Sequence, residues 1–314
     1  MGTSKQPPIW NRNNNLLSKG KGTQEALLTL PSFLWLLVLF VIPTIMVVII
    51  SFRSSDPRGG IGQEWTIQAY EQIFAQNLGP VIWRTIRLSL YTTVICLVLA
   101  IPVAYHMARL EKHQQQNLLL LVIIPFWTNF LIRIYAWKVL LHPDGLIKQI
   151  LATLQLVEPE ATLLYNEGAV LLVLVYTYLP FAILPLYSAA EKFDFRLLEA
   201  SQDLGGSDWI GFYRIFLPGI SAGIVSAILV VFIPALGSYI IPEIVGGPGS
   251  QMLGNRIAQR VFTDRNLPQA SGLSTLLILA VMVPSFLSLV TRKFVIPRGK
   301  VSNSTRLSNQ GAHG

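Results

Sequence analysis

Six stretches of the chain stay apolar over membrane-spanning lengths, at about residues 30–51, 83–107, 117–141, 169–188, 219–242 and 272–292. A helix needs roughly 20 apolar residues to cross the hydrocarbon core of a bilayer. None of the six contains Asp or Glu, although Glu243 stands at the edge of the fifth. The pattern predicts an all-α polytopic membrane protein with six transmembrane helices. The first stretch exceeds the apolar region of a secretory signal, and no small-x-small cleavage site follows it.

The polar segments between these stretches are unequal. Residues 1–26 read as a disordered basic arm, 27–81 as the first helix with a long following loop, and 82–292 as a core of five helices. Residues 293–314 form a polar tail. Within the long loop, Asp56-Pro57-Arg58-Gly59-Gly60 marks a turn, and Trp65 to Phe74 fits a short interfacial helix. Leu146 to Leu156 has helical spacing and could lie flat or re-enter. The link between the second and third stretches is very short, so those helices are antiparallel neighbours. Pro234, closest to the middle of its span, is the leading candidate for a kink, facing either the pathway or ordinary packing.

Composition narrows the class. Hydrophobic residues make up 52%, charged residues 13%, and the mean hydropathy is +0.52, which excludes an ordinary soluble domain. Lys and Arg are more numerous in the segments on the N-terminal side of the membrane, which favours cytoplasmic N- and C-termini. The net charge of +8 thus belongs to topology, and no nucleic-acid patch is visible. The single cysteine, Cys96, lies inside the second span and reads as an apolar thiol.

Between the fourth and fifth spans, residues 188–218 carry a distinct pattern. Ser188 to Leu204 can form a helix with Leu197, Ser201 and Leu204 along one side. Gly205-Gly206 supplies the left-handed position that ends it. Ser207 can cap a second helix, with Asp208 in its first turn. That helix places Trp209, Phe212, Tyr213 and Phe216 at three- and four-residue spacing, and Pro218 closes it. Two short helices with an apolar ridge make a knob for a partner's groove; an amphipathic pair lying on the membrane is the alternative.

The same residues carry a resemblance. Glu199-Ala200-Ser201, then Gly205, then Ile215, Leu217 and Pro218 follow the spacing of the EAA loop of bacterial ATP-binding-cassette importers, with Ser201 in place of the second Ala. Pro125-Phe126-Trp127-Thr128-Asn129, Tyr176-Thr177-Tyr178 and Pro234-Ala235-Leu236-Gly237 resemble stretches of the spermidine/putrescine permeases, over about residues 80–292. The resemblance implies the type I importer (MetI-like) fold in a bacterial inner membrane. It also implies a second, similar permease subunit, two copies of an ATPase and an extracytoplasmic binding protein. It assigns Glu199, Ala200, Ser201, Gly205, Trp209, Ile215, Leu217 and Pro218 to ATPase coupling. This chain has no nucleotide-binding motif, so ATP and magnesium belong to the partner ATPase, and no cofactor or metal is expected here.

A polyamine is a polycation, which proteins hold with carboxylates and aromatic faces. The pathway candidates are Trp127, Asn129, Tyr135, Tyr176, Tyr178, Tyr239 and Glu243. On a straight helix, Trp127 lies roughly 15 Å and Arg133 roughly 24 Å into the third span. At that depth Arg133 can snorkel or pair with a loop acid. The same architecture serves sulfate, ferric iron and other small solutes, which stay open as alternatives. The scattered histidines, His106, His113, His142 and His313, with no H-E-x-x-H, argue against a membrane-embedded enzyme and name no catalytic residue.

Overall fold

A computed structural model describes residues 14–56, 59–158 and 161–295 of the chain. The expectations for residues 1–13, for Pro57 and Arg58, and for the tail beyond Val295 lie outside the described residues. Helix α1 (Asn14–Ser51) begins well before residue 27, so the loose arm is corrected over 14–26. No proline interrupts the chain between Asn14 and Leu30, and much of that stretch is made of good helix formers. Its apolar span, Thr29–Ser51, is not buried by the rest of the chain, leaving Phe33, Trp35, Leu36 and Phe40 exposed.

A short antiparallel hairpin of β1 (Arg53–Ser55) and β2 (Ile61–Trp65) follows, with Arg53 opposite Trp65, so the fold is not purely helical. The expected interfacial helix starts later, at α2 (Gln68–Ala75), because Trp65 belongs to the hairpin. The N–H of Gly60 donates to the carbonyl of Arg265 at 2.9 Å and pins the hairpin to a distant loop.

Helices α3 (Gly79–Ala108) and α7 (Glu167–Glu191) form the centre, packed side by side and parallel. Arg84 and Arg87 of α3 both pair with Glu167 where α7 begins, and Lys112 pairs with Glu191 where it finishes. Helix α11 (Ser221–Leu236) packs against both. Small residues set these contacts: Ala100, Ala104, Ala182, Ala190 and Ala227 are all fully buried. A side-chain carbon on Gly223 would stand 2.4 Å from Cβ of Ala189, so only glycine permits that approach. Around these contacts lie two cores. One, near the finish of α7, holds Met107, Leu186, Leu198, Phe216 and Ile220. The other, near its start, holds Leu88, Ile134, Leu164, Val170, Ile241, Val245 and Met252.

The third apolar stretch is not one helix. Helix α4 (Lys112–Ile123) passes through a 3-10 turn at Ile124–Trp127, and α5 (Phe130–Leu140) leaves at 87°. Pro125 limits the turn, Thr128 is extended, and the Asn129 side chain accepts from the N–H of Leu131 at 2.8 Å, capping α5. The straight-helix depths for Trp127 and Arg133 therefore do not hold. Helix α6 (Leu146–Thr153) realises the helical spacing seen after His142.

Among the described residues, three helices are long and apolar enough to cross a membrane, or five when each bent pair counts as one span. Helix α14 (Leu267–Val295) is the last element among the described residues, with a shorter apolar portion at Leu267–Met282. The described residues from Leu276 onward, the remainder of α14, belong to a separate unit from the rest of the chain.

Candidate functional site

The loop after α7 is built differently from one long helix. Helix α7 stops at Glu191, and α8 (Arg196–Asp203) starts after four intervening residues. Asp194 makes the break: its carboxylate accepts from the N–H of Arg196 at 3.1 Å, and its carbonyl from the N–H of Leu197 at 3.2 Å. At the far end, Gly205 has φ +85°, the left-handed conformation read from the sequence. The N–H of Gly206 reaches the carbonyl of Ser201, and that of Gly205 the carbonyl of Gln202, each at 2.8 Å. This pair of bonds is a complete Schellman closure.

Ser207 occupies the N-cap position of α9 (Asp208–Gly211) in extended conformation, but its side chain makes no capping bond. The side-chain amide of Gln202 instead donates to the Asp208 carboxylate, tying α8 to α9. The chain then passes through a π-helical segment, Phe212–Phe216, and α10 (Leu217–Gly219). It turns by 68° into α11.

The single aromatic ridge expected along this stretch is in fact divided. Phe216 is fully buried among Tyr105, Phe193, Phe195 and Phe212, with ring centroids 4.8 to 6.2 Å away. Trp209 and Tyr213 stack on each other at 5.8 Å and stay exposed. Both also line an apolar cavity of about 540 Å³ against Val98, Ile101 and Pro102 of α3. Tyr213 still meets Phe212 edge-on at 5.3 Å, where the buried and exposed rings adjoin. Leu197 and Leu204 on α8 and its C-cap are exposed too, Leu204 at 90%. Glu199, Ala200 and Pro218 are exposed as well, while Ser201, Ile215 and Leu217 are half-buried.

The pathway candidates scatter. Trp127 is 79% exposed and Tyr135 is exposed, while Tyr176 meets Trp137 edge-on at 5.2 Å. Tyr178 packs against both cores beside Phe181, and Asn129 serves as the cap of α5. The Arg133 guanidinium lies over Phe126, 4.4 Å from the ring centroid. Its Nε and Nη1 are buried with no hydrogen-bond partner, and no acid pairs with it among the described residues.

Two candidates do come together. After α11 the chain breaks at Gly237 and resumes as α12 (Ile240–Val245), so Glu243 belongs to a separate short helix rather than to the edge of a continuous span. Glu243 and Tyr239 line a cavity of about 380 Å³ with Gln251, Asn255, Gln259 and Phe262, the last three on α13 (Leu253–Phe262). The sequence reading missed Gln251, Asn255, Gln259 and Phe262. The amphipathic pattern of α13 was available as a signal but carried no chemistry on its own.

The fold is shared with solved importers. A crystal structure of a bacterial ABC transporter involved in the import of the acidic polysaccharide alginate superposes with a TM-score of 0.65. It has 16% identity and covers 90% of this chain and all of that one. A bacterial alginate ABC transporter in complex with an alginate pentasaccharide-bound periplasmic protein gives 0.63 at 17% identity, covering 88% and 96% of the two chains. The fold is thus one found in bacterial ABC transporters. No protein-family model matches the chain. Sequence relatives define it further: the spermidine/putrescine transport system permease protein PotB of Haemophilus influenzae is 37% identical over 255 residues, 80% of this chain and 89% of that protein. PotB of Escherichia coli is 34% identical over 234 residues, 74% and 85% of the two. The chain belongs to the PotB family of ABC transporter permeases, multi-pass proteins of the inner membrane.

Proposed function

We propose that this chain is one permease subunit of an ATP-driven polyamine importer, with both termini cytoplasmic. It pairs with a second, similar permease and with two copies of an ATPase that bind ATP and magnesium. An extracytoplasmic binding protein delivers spermidine or putrescine. Residues 188–218 dock into the ATPase, and alternating access follows from the movement of that dock. The observation that carries this reading is the closed turn at Gly205, joining two short helices on which Leu197, Leu204, Trp209 and Tyr213 are all exposed. An exposed apolar group on an otherwise polar loop fits a partner groove. Glu199 and Gly205 maintain the loop's shape, and the exposed side chains fill the groove.

The test is uptake of labelled spermidine and putrescine by cells lacking the gene, complemented with the normal chain or with Gly205→Val. Restoration by the normal chain alone supports polyamine import through this loop. Uptake that never depends on the chain rules out the polyamine cargo; normal uptake by Gly205→Val rules out the role of the loop.

A further inference from the structure

A separate cavity of about 240 Å³ lies where the end of α2 and the start of α3 meet α13 and α14, lined by Gln76, Leu78, Arg256, Arg260 and Leu273. Its two cations are unequal. Arg260 pairs with Asp264 one turn on and donates to the side-chain oxygen of Gln76 at 2.9 Å. Arg256 pairs with no acid among the described residues. Its Nη1 donates to the neutral side chain of Gln259 at 3.1 Å, and its Nε is buried with no hydrogen-bond partner. Glu243 of α12 does not supply the missing charge, because its carboxylate lines the other cavity and accepts from the Asn255 amide at 2.8 Å. Asn255 also donates to the carbonyl of Tyr239 at 3.0 Å and accepts from the N–H of Met252 at 3.1 Å, which holds the start of α13 in place. A half-buried guanidinium with an unsatisfied N–H and no counter-charge calls for an anion.

The position of the cavity narrows the choice of anion. Leu78 is the N-cap of α3, a helix of membrane-crossing length and apolarity. Just inside that helix Trp83 is exposed, and tryptophan is enriched where membrane meets water. Leu78, Ile82 and Ile86 recur at four-residue spacing, and the N–H of Ile82 donates to the carbonyl of Leu78 at 2.9 Å, so the three share one face. Ile82 and Ile86 are exposed. A cation at the head of an exposed apolar track complements an amphiphile with an anionic head; an acidic patch on a soluble protein would leave the track uncovered. We propose that this cavity receives the phosphodiester of a phospholipid, with Arg256 as the binding residue and an acyl chain along Ile82 and Ile86. On the orientation proposed above, that lipid belongs to the outer leaflet. Gln76 adds a neutral donor, since its oxygen is taken by Arg260 and its amide nitrogen is not. The space far exceeds the ~10–15 Å³ that one water needs and suits a polyatomic headgroup.

The experiment uses the full-length chain, with its co-purifying subunits, stripped of lipid in detergent and titrated while thermal unfolding is followed. Short-chain phosphatidylglycerol is expected to raise the unfolding midpoint in a saturable way. Inorganic phosphate and a phosphate-free diacylglycerol of the same chain length are expected to leave it unchanged. Arg256→Gln should need about tenfold more phosphatidylglycerol for the same shift, the size of one lost charge-assisted bond, and Arg256→Lys should recover part of the response. An unaltered response in Arg256→Gln would overturn the proposal. Equal stabilisation of the normal chain by inorganic phosphate would also overturn it, by making the cavity a site for free anions. So would equal stabilisation by the diacylglycerol, a comparison that needs no variant and stands even where Arg256→Gln does not fold. A fourth overturning result is weaker capture of the extracytoplasmic binding protein by Arg256→Gln with its lipid response intact, which would assign Arg256 to a protein contact.

Discussion

The N–H of Gly206 donates to the carbonyl of Ser201 at 2.8 Å, and this bond forces Gly205 between them into the left-handed conformation. A side-chain carbon added at Gly205 would meet nothing within 4 Å, so the penalty for substitution is one of backbone and not of space. Left-handed geometry costs an L-residue ~1–2 kcal/mol, least for Asn and most for a β-branched residue. Uptake in complemented cells should therefore decline in the order Gly205→Asn, Gly205→Ala, Gly205→Val. Membrane insertion, followed by fractionation, should stay unchanged in all three.

Phe216 and Trp209 sit on one short helical stretch but do opposite work. Phe216→Ala removes a fully buried ring from a five-ring cluster and should lower stability by about 3–5 kcal/mol, read from thermal unfolding in detergent. Trp209→Ala exposes no core and should shift stability by less than ~0.5 kcal/mol. Its effect should appear as weaker co-purification of the ATPase.

Asn129 holds the 87° break in place by capping α5. Asn129→Ala should reduce stability by about 1 kcal/mol, whereas Asn129→Asp should retain the cap and nearly all the stability. Thermal unfolding of the two variants side by side separates capping from a pathway role. A loss of uptake in Asn129→Asp at normal stability would reveal the latter.

Glu167 joins α7 to two arginines of α3, and Arg84 also reaches the carbonyl of Gln251. The three side chains are about a quarter to a third exposed, so solvent screens the pairs. Glu167→Gln should cost no more than ~1 kcal/mol. Arg84→Ala should cost more, because it also releases the loop that precedes α13. Unfolding curves at low and high salt check the distinction: the Glu167 effect should shrink with salt.

The sequence made the long apolar helices legible because hydropathy measures composition over a window, and α1, α3 and α7 are uniform there. It could not show the break at Thr128, since Phe126, Trp127, Phe130 and Leu131 stay apolar on both sides of a change in direction. The cues were present in Pro125 and in the capping Asn129, but they are backbone signals within an apolar run. The Gly205 turn was readable because a left-handed residue restricts the side chain so strongly. The division of the aromatic ridge was not, because Tyr105, Phe193 and Phe195, which bury Phe216, lie elsewhere in the chain. Asn255 was invisible for another reason: its three partners are distant in sequence or local only after α13 forms.

The buried ring of Phe216 has a mechanical consequence. The short helix that bears Trp209 is rooted by Phe216 against Tyr105 of α3 and against Phe193 just past the end of α7. A displacement applied at its exposed face has no slack segment in which to dissipate, so it acts as torque on the two central helices together. Under the proposed docking the loop is in this sense a crank with its bearing in the core, and the stiffness of that bearing sets how much of the partner's stroke the membrane helices receive.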